Sequence, residues 1–176
     1  MQPTPGRYFI AGVFFTLYGL VKYLPPPIGD VMRFAVLRMF LRGIESWKIK
    51  DGVTFWFPEG VRIGRNVTIN EWVFIDGAGG VDIGDDCRIA HGCSFVSEDH
   101  VFEDPDRAIW EQGRRVAPIV LEQDVWLGCG VRVLRGVRIG RGSVIGAGSV
   151  VTRDIPAYSI AVGAPARVVK SRRPPS

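Results

Sequence analysis

Two hydrophobic patterns divide the chain. From Tyr8 to Val21 fourteen residues run without a charge, Lys22 interrupts, and Tyr23 and Leu24 lead into Pro25-Pro26-Pro27. Beyond the prolines, Val31–Leu41 repeats apolar residues at helical spacing, with Arg33, Arg38 and Arg42 along it. Proline closes a helix, so this stretch predicts two short helices around a Pro-Pro-Pro break. The first, Tyr8–Leu24, would be roughly 25 Å long, short of the ~30 Å hydrocarbon core of a bilayer.

The second pattern has a period of six. Ile63, Ile69 and Ile75 are followed, after two extra residues, by Ile83, Ile89 and Phe95. After twenty more inserted residues come Leu121, Leu127, Val133, Ile139, Ile145 and Val151. Two positions before these stand Val61, Val67, Val73, Val81, Cys87, Cys93, Ile119, Val125, Val131, Val137, Ser143 and Ser149, each β-branched or small. Six residues are too few for a helix pair and enough for a short strand and a tight turn. Three such units close one triangular coil, with the large residue pointing inward and the small one filling beside it. Twelve units predict four coils, stacked at the usual ~4.8 Å strand spacing.

Composition narrows the picture. With 22 glycines and 12 prolines the chain is too punctuated for a helix bundle. Three cysteines without a C-x-x-C and two histidines argue against a disulfide scaffold and a Cys/His zinc site, so no metal is expected. Cys87 and Cys93 occupy small core positions and read as buried free thiols. Residues 1–50 carry a net charge of +5 and the remainder −1. A basic, apolar arm points to a membrane surface, and no nucleic-acid-binding signature accompanies it. The expected division is an apolar, basic helical arm over 1–50, a repeat domain over 51–169 with an insertion at 97–116, and a basic tail over 170–176.

The period is that of the left-handed parallel β-helix of hexapeptide-repeat proteins. From Ile119 onward, Val125-Trp126-Leu127-Gly128, Gly136-Val137-Arg138-Ile139-Gly140, Val144-Ile145-Gly146-Ala147-Gly148-Ser149-Val150-Val151-Thr152, Asp154-Ile155-Pro156 and Gly163-Ala164-Pro165-Ala166 resemble the maltose and galactoside O-acetyltransferase type of hexapeptide acyltransferase. The arm departs from that type and looks more like members found among polysaccharide-modifying enzymes. The resemblance implies an acetyl-CoA-dependent transfer to a sugar hydroxyl of a glycan or of a lipid-linked or nucleotide-sugar precursor. It also implies a homotrimer with sites between adjacent prisms.

The insertion Ser97–Val116 is polar and interrupts an otherwise regular repeat, as functional loops do. Acyl transfer to a hydroxyl needs a base, and histidine suits neutral pH. His100 opens the loop, where the family also has its catalytic histidine. His91, on a coil turn, reads as a surface residue. Glu98, Asp99 and Glu103 are the nearby candidates for orienting the imidazole, as is a backbone carbonyl. Asn70 and Asp76 break the repeat on successive units, which would set both near one edge. Similar residues in sugar acetyltransferases contact the acceptor, although both types also suit tight turns. The resemblance places coenzyme A beside Trp126, Cys129, Ala147, Thr152, Arg153, Arg167 and Lys170. Ala147 and Gly148 would let a pantetheine arm approach the backbone, and the basic residues would meet phosphates.

Rival readings are N-acetylation of an amino-sugar or xenobiotic, a non-catalytic β-helical binder, and a carbonic-anhydrase-like member, for which two histidines are too few. For the arm, the expectation is a hairpin in the cytoplasmic leaflet of the inner membrane, its arginines at anionic headgroups and the prism in the cytoplasm. The alternative is a packing element on the protein itself. A signal peptide is not expected, since Tyr23-Leu24-Pro25 is no small-residue cleavage site.

Overall fold

The computed structural model describes residues 5–173, so 174–176 of the expected basic tail lie outside the described residues. Helices α1 (Pro5–Val21) and α2 (Ile28–Phe40) precede a parallel β-helix with three faces. On face A the strands Gly43–Ile44, Val61–Ile63, Val81–Ile83, Ile119–Leu121 and Arg138–Ile139 stack in that order. Face B stacks Thr68–Ile69, Arg88–Ile89, Trp126–Leu127, Val144–Ile145 and Ser159–Gly163, and face C stacks Thr54–Trp56, Phe74–Asp76, Ser94–Val96, Arg132–Leu134 and Val150–Val151. The ladder is in register at every step, as where Ile75 faces Phe95 and Phe95 faces Val133.

All twelve large residues of the six-residue pattern, and all twelve residues two positions before them, are no more than 2% exposed. They fill the prism as predicted. The two serines among them keep their hydroxyls satisfied: Ser143 donates to Pro156 O, and Ser149 accepts from Gly163 N. Each thus ties the penultimate coil to the last. Cys87 and Cys93 are buried in the same columns, and burial pushes both thiols up to about 11.

The helix is longer than four coils. A first coil precedes the readable repeat, from Gly43–Ile44 through a bridge at Ile49 to Thr54–Trp56, with Ile49 and Phe55 pointing inward. A last, partial coil bridges at Ile155 and ends in Ser159–Gly163. The strand Ala166–Ser171 pairs antiparallel with it and stops the parallel ladder.

The two helices fold against the first coil. Phe14, Tyr18, Val21, Leu37 and Leu41 are buried. Tyr18 stacks edge-on against Phe55 and donates its hydroxyl to Val53 O at 3.1 Å. Arg33 departs from its expected place at a headgroup. It is fully buried, donating to Ile49 O (2.9 Å), Leu24 O (2.7 Å) and Asp30 (2.5 Å), while Lys50 takes the other Asp30 oxygen at 2.9 Å. A buried guanidinium persists where its charge is paired and its donors are used. Arg42 pairs with Asp82 on face A. No helix among the described residues is long and apolar enough to cross a membrane. The packing alternative therefore describes one side of the hairpin. On the other, Phe9, Ile10, Leu20, Ile28 and Val31 are exposed.

Candidate active site

The three insertions into the repeat all fall at the corner where face C turns into face A. The first coil turns there through a short 3-10 helix, Pro58–Gly60, the second through Asp76–Gly80, and the third through the insertion. The three turns press on one another. A side chain at Gly60 would sit 2.0 Å from Gly77 O, and one at Gly79 would sit 2.5 Å from Ser97 O and 2.7 Å from Ala117 N. Only glycine fits such backbone contact. Buried Ser97 locks the turn by donating to Asp76 O at 2.6 Å and accepting from Gly79 N at 2.8 Å. Its carbonyl accepts from Ala117 N, which pinches the base of the insertion shut.

From this base rises an antiparallel hairpin, Glu98–His100 against Arg114–Val116, with His100 opposite Arg114. Arginines hold it in place. Glu98 takes Arg114 at 2.6 Å, Glu103 takes Arg115, and Asp99 takes the Nε of Arg135 at 2.5 Å. Arg135 stands on the prism, just past the strand Arg132–Leu134, so this last pair joins loop to scaffold. Each carboxylate that sequence offered as an orienting partner for His100 is thus engaged by an arginine. Nothing in the six-residue pattern singled out Arg135.

Between the hairpin and face C lies a cleft of about 360 Å³, lined by Trp56, Phe74, Asp76 and Val96 on the prism side and Glu98, Asp99 and His100 on the loop side. His100 is exposed at the cleft; Asp76 is only 5% exposed. Burial raises the Asp76 carboxyl above its ordinary range, against the lowering effect of the Ala78 N–H that donates to it at 2.9 Å. An exposed imidazole facing a buried carboxyl across a partly apolar cleft can remove a proton from a hydroxyl held between them. The structure thus brings His100 and Asp76 together. The aromatic wall was not anticipated, because Trp56 belongs to the first coil.

The other expected residues lie elsewhere. Asn70 is half-buried at the corner between faces B and C, its N–H donating to Ile89 O. It does not share an edge with Asp76, because one six-residue step carries the chain across a whole face to the next corner. Along the B–C corner, on successive coils, come His91, which is exposed, then Cys129 and Ala147, linked through Gly130 N to His91 O and Gly148 N to Cys129 O. Gly130 and Gly148 take positive φ and bear no side chain, which leaves this edge low. Trp126 stands half-exposed on face B between Arg88 and Val144. Arg167 and Lys170 are exposed on the closing strand beside that face. Thr152 and Arg153 are exposed at the C–A corner of the fifth coil, on the same edge as the cleft. The expected residues therefore form two groups on different corners of one prism. Among the described residues, no three His, Cys, Asp or Glu side chains gather to hold a metal.

Comparison with known proteins gives three findings. Residues 118–153 match the family model for the bacterial transferase hexapeptide (six repeats). Over 117 residues, 66% of this chain and 37% of the relative, the sequence is 42% identical to Probable acetyltransferase Rv3034c of Mycobacterium tuberculosis. The match thus spans little over a third of that relative's length. Two solved structures share the fold along nearly the whole chain. One is the hexapeptide-repeat acetyltransferase VCA0836 of Vibrio cholerae complexed with acetyl coenzyme A, with TM-score 0.80, 29% identity, and 98% of this chain and 94% of that one covered. The other is a galactoside acetyltransferase in complex with coenzyme A, with TM-score 0.86, 28% identity, and 98% and 86% covered.

Proposed function

We propose that this chain, similar in repeat and fold to hexapeptide-repeat acetyltransferases, transfers an acetyl group from acetyl-CoA to a sugar hydroxyl with His100 as general base. The observation that carries this reading is the cleft at the C–A corner, where His100 and Asp76 face one another beside an aromatic wall. The imidazole takes the proton of the hydroxyl as its oxygen bonds to the thioester carbonyl carbon. The tetrahedral intermediate then collapses, the C–S bond breaks, and the imidazolium returns the proton to the leaving sulfur. No Ser or Cys nucleophile is needed. The galactoside acetyltransferase among the neighbours supports a sugar acceptor.

The same reading makes the active form a homotrimer. His100, Asp76, Thr152 and Arg153 occupy the C–A corner while Asn70, Cys129 and Ala147 occupy the B–C corner, so one prism does not gather the whole set. A neighbour presenting its B–C corner and face B, with Trp126, Arg167 and Lys170, to the His100 cleft would complete a donor groove. In that groove Ala147 and Cys129 would flank the pantetheine, and Arg153 and the face B cations would meet the phosphates. Three such sites form per trimer.

The exposed apolar side of α1 and α2 extends the reading to a cytoplasmic membrane surface. Phe9, Ile10, Leu20, Ile28 and Val31 would lie at the acyl boundary of one leaflet, holding the site near acceptors built on lipid carriers. Light scattering and vesicle sedimentation test assembly and attachment. An active monomer sinks the first, and protein that stays monodisperse and free of vesicles sinks the second. The central test incubates the protein and acetyl-CoA with free sugars, nucleotide sugars and lipid-linked glycans. A product ester, labile to mild base, is expected; an alkali-stable amide would overturn O-acetylation.

A further inference from the structure

Trp56 ends the face C strand of the first coil and stands directly across from Asp76, which in turn stands across from Val96. Its indole is half exposed toward the cleft, and its far side is braced by Phe15 of α1, ring centroids 6.3 Å apart and edge-on. Phe74 continues the wall in the adjoining column. The prism side of the cleft is therefore an aromatic surface with one carboxyl beside it, and the loop side carries the base.

The charge pattern narrows what fits. No lysine or arginine lines the cleft. Arg114 and Arg135 are turned to Glu98 and Asp99, which they neutralise. Within one protomer no cation lines the cleft to hold a phosphate, a sulfate or a carboxylate, and the two loop carboxylates are already paired. The chemistry left is an apolar face beside hydrogen-bond acceptors. An uncharged pyranose ring has that form, one flank of C–H bonds and a rim of hydroxyls. Aromatic side chains gain from removing such a flank from water and from the directional attraction of polarised C–H bonds to the ring's negative face.

We propose that Trp56 is the acceptor-stacking residue of this site, carrying the C–H flank of an uncharged pyranose while Asp76 accepts from its hydroxyls and His100 faces the one to be acetylated. This rests on the sugar-acetylation reading and deepens it. The site selects neutral hexoses over uronic acids, and the contact with Phe15 makes the N-terminal hairpin part of acceptor recognition.

Saturation-transfer NMR on the full chain tests it, with methyl glucopyranoside and methyl galactopyranoside as neutral probes and the corresponding uronic-acid glycosides as charged ones. Neutral glycosides should bind, their C–H protons on one ring flank saturating most. Trp56→Leu keeps apolar contact with Phe15 but loses the aromatic face. It should weaken neutral-glycoside binding about tenfold, with acetyl-CoA binding and the thermal midpoint unmoved. Unaltered affinity in Trp56→Leu, with the wild type binding glycosides normally, would overturn the stacking role and leave the sugar reading standing. Tighter binding of a uronic-acid glycoside would overturn the selectivity for the neutral ring. If the wild-type protein binds no glycoside, the sugar reading and the stacking proposal fall together.

Discussion

The prism and the loop it extrudes are held by opposite means. In the prism each inward position is apolar or a satisfied serine and is almost wholly buried, and strand amides bond to the neighbouring coils, as Thr68 N to Cys87 O and Ile69 N to Lys48 O. In the segment from Glu98 to Val116 no side chain is buried, and the hairpin is positioned by three arginine–carboxylate pairs, each at least partly open to solvent. Pairs of that kind contribute roughly 0–1 kcal/mol each. The scaffold is thus fixed by hydrophobic burial, and the residue assigned the chemistry rides on an element fixed by charge. Stability and activity should respond to different perturbations.

Phe95→Ala opens a hole at the centre of the prism and should cost about 3–5 kcal/mol in denaturant unfolding, with activity lost only as the fold is lost. His100→Ala should do the reverse. Transfer should drop at least ~10²-fold while the unfolding midpoint stays put; near-normal turnover would remove His100 from its assigned role. Arg135→Gln releases the loop from the prism, and kcat should fall by up to about tenfold with the KM for acetyl-CoA little changed, since about 1 kcal/mol of positioning is at stake. Partial recovery in Arg135→Lys would separate a charge anchor from a packing role. Raising salt from about 0.05 to about 0.5 M should slow turnover a few-fold with no loss of fold, because exposed pairs are screened; a salt-indifferent rate would show that the loop is held by something other than charge.

The smallest effect concerns Asp76, where the two regions meet. Its carboxyl is raised by burial, so the folded protein keeps this proton to higher pH than the unfolded chain does. The associated stability is present at pH below the ordinary carboxylate range and is lost as pH rises through the raised folded value. Asp76→Asn cannot ionise, so it should lose less stability than wild type as pH rises from the ordinary carboxylate range toward neutrality, measured by urea midpoints. A parallel pH dependence would show the carboxyl to be freely solvated.

The same contrast explains what sequence could reveal. The prism was legible because burial repeats: Ile63 to Val151 step by six, and each such side chain meets the same environment. The first coil escaped because Phe57–Gly60 shifts the phase between Phe55 and Ile63, much as Asp76–Gly80 and the insertion shift it later. With it went Trp56, and hence the aromatic wall. His100 stood out from its place at the mouth of an insertion. Arg135, a single cation on a turn, had no periodic signal and is recognisable only once Asp99 is seen beside it. Arg33 misled for a related reason. An arginine on an apolar helix reads as a surface charge until Asp30, one turn earlier, and the open carbonyls of Leu24 and Ile49 are found converging on it.

A stack of identical in-register strands has no natural length, and each open end is a template on which a second prism could add. The hairpin fastened by Arg33 lies over one end, and the antiparallel strand Ala166–Ser171 turns aside the pairing near the other. These two elements act as terminators of a one-dimensional polymerisation. Removing both terminators would uncover Ile49, Phe55 and the strand edge around them. The outcome to expect is not a smaller soluble enzyme but rods that grow end to end, seen by electron microscopy as filaments one prism wide.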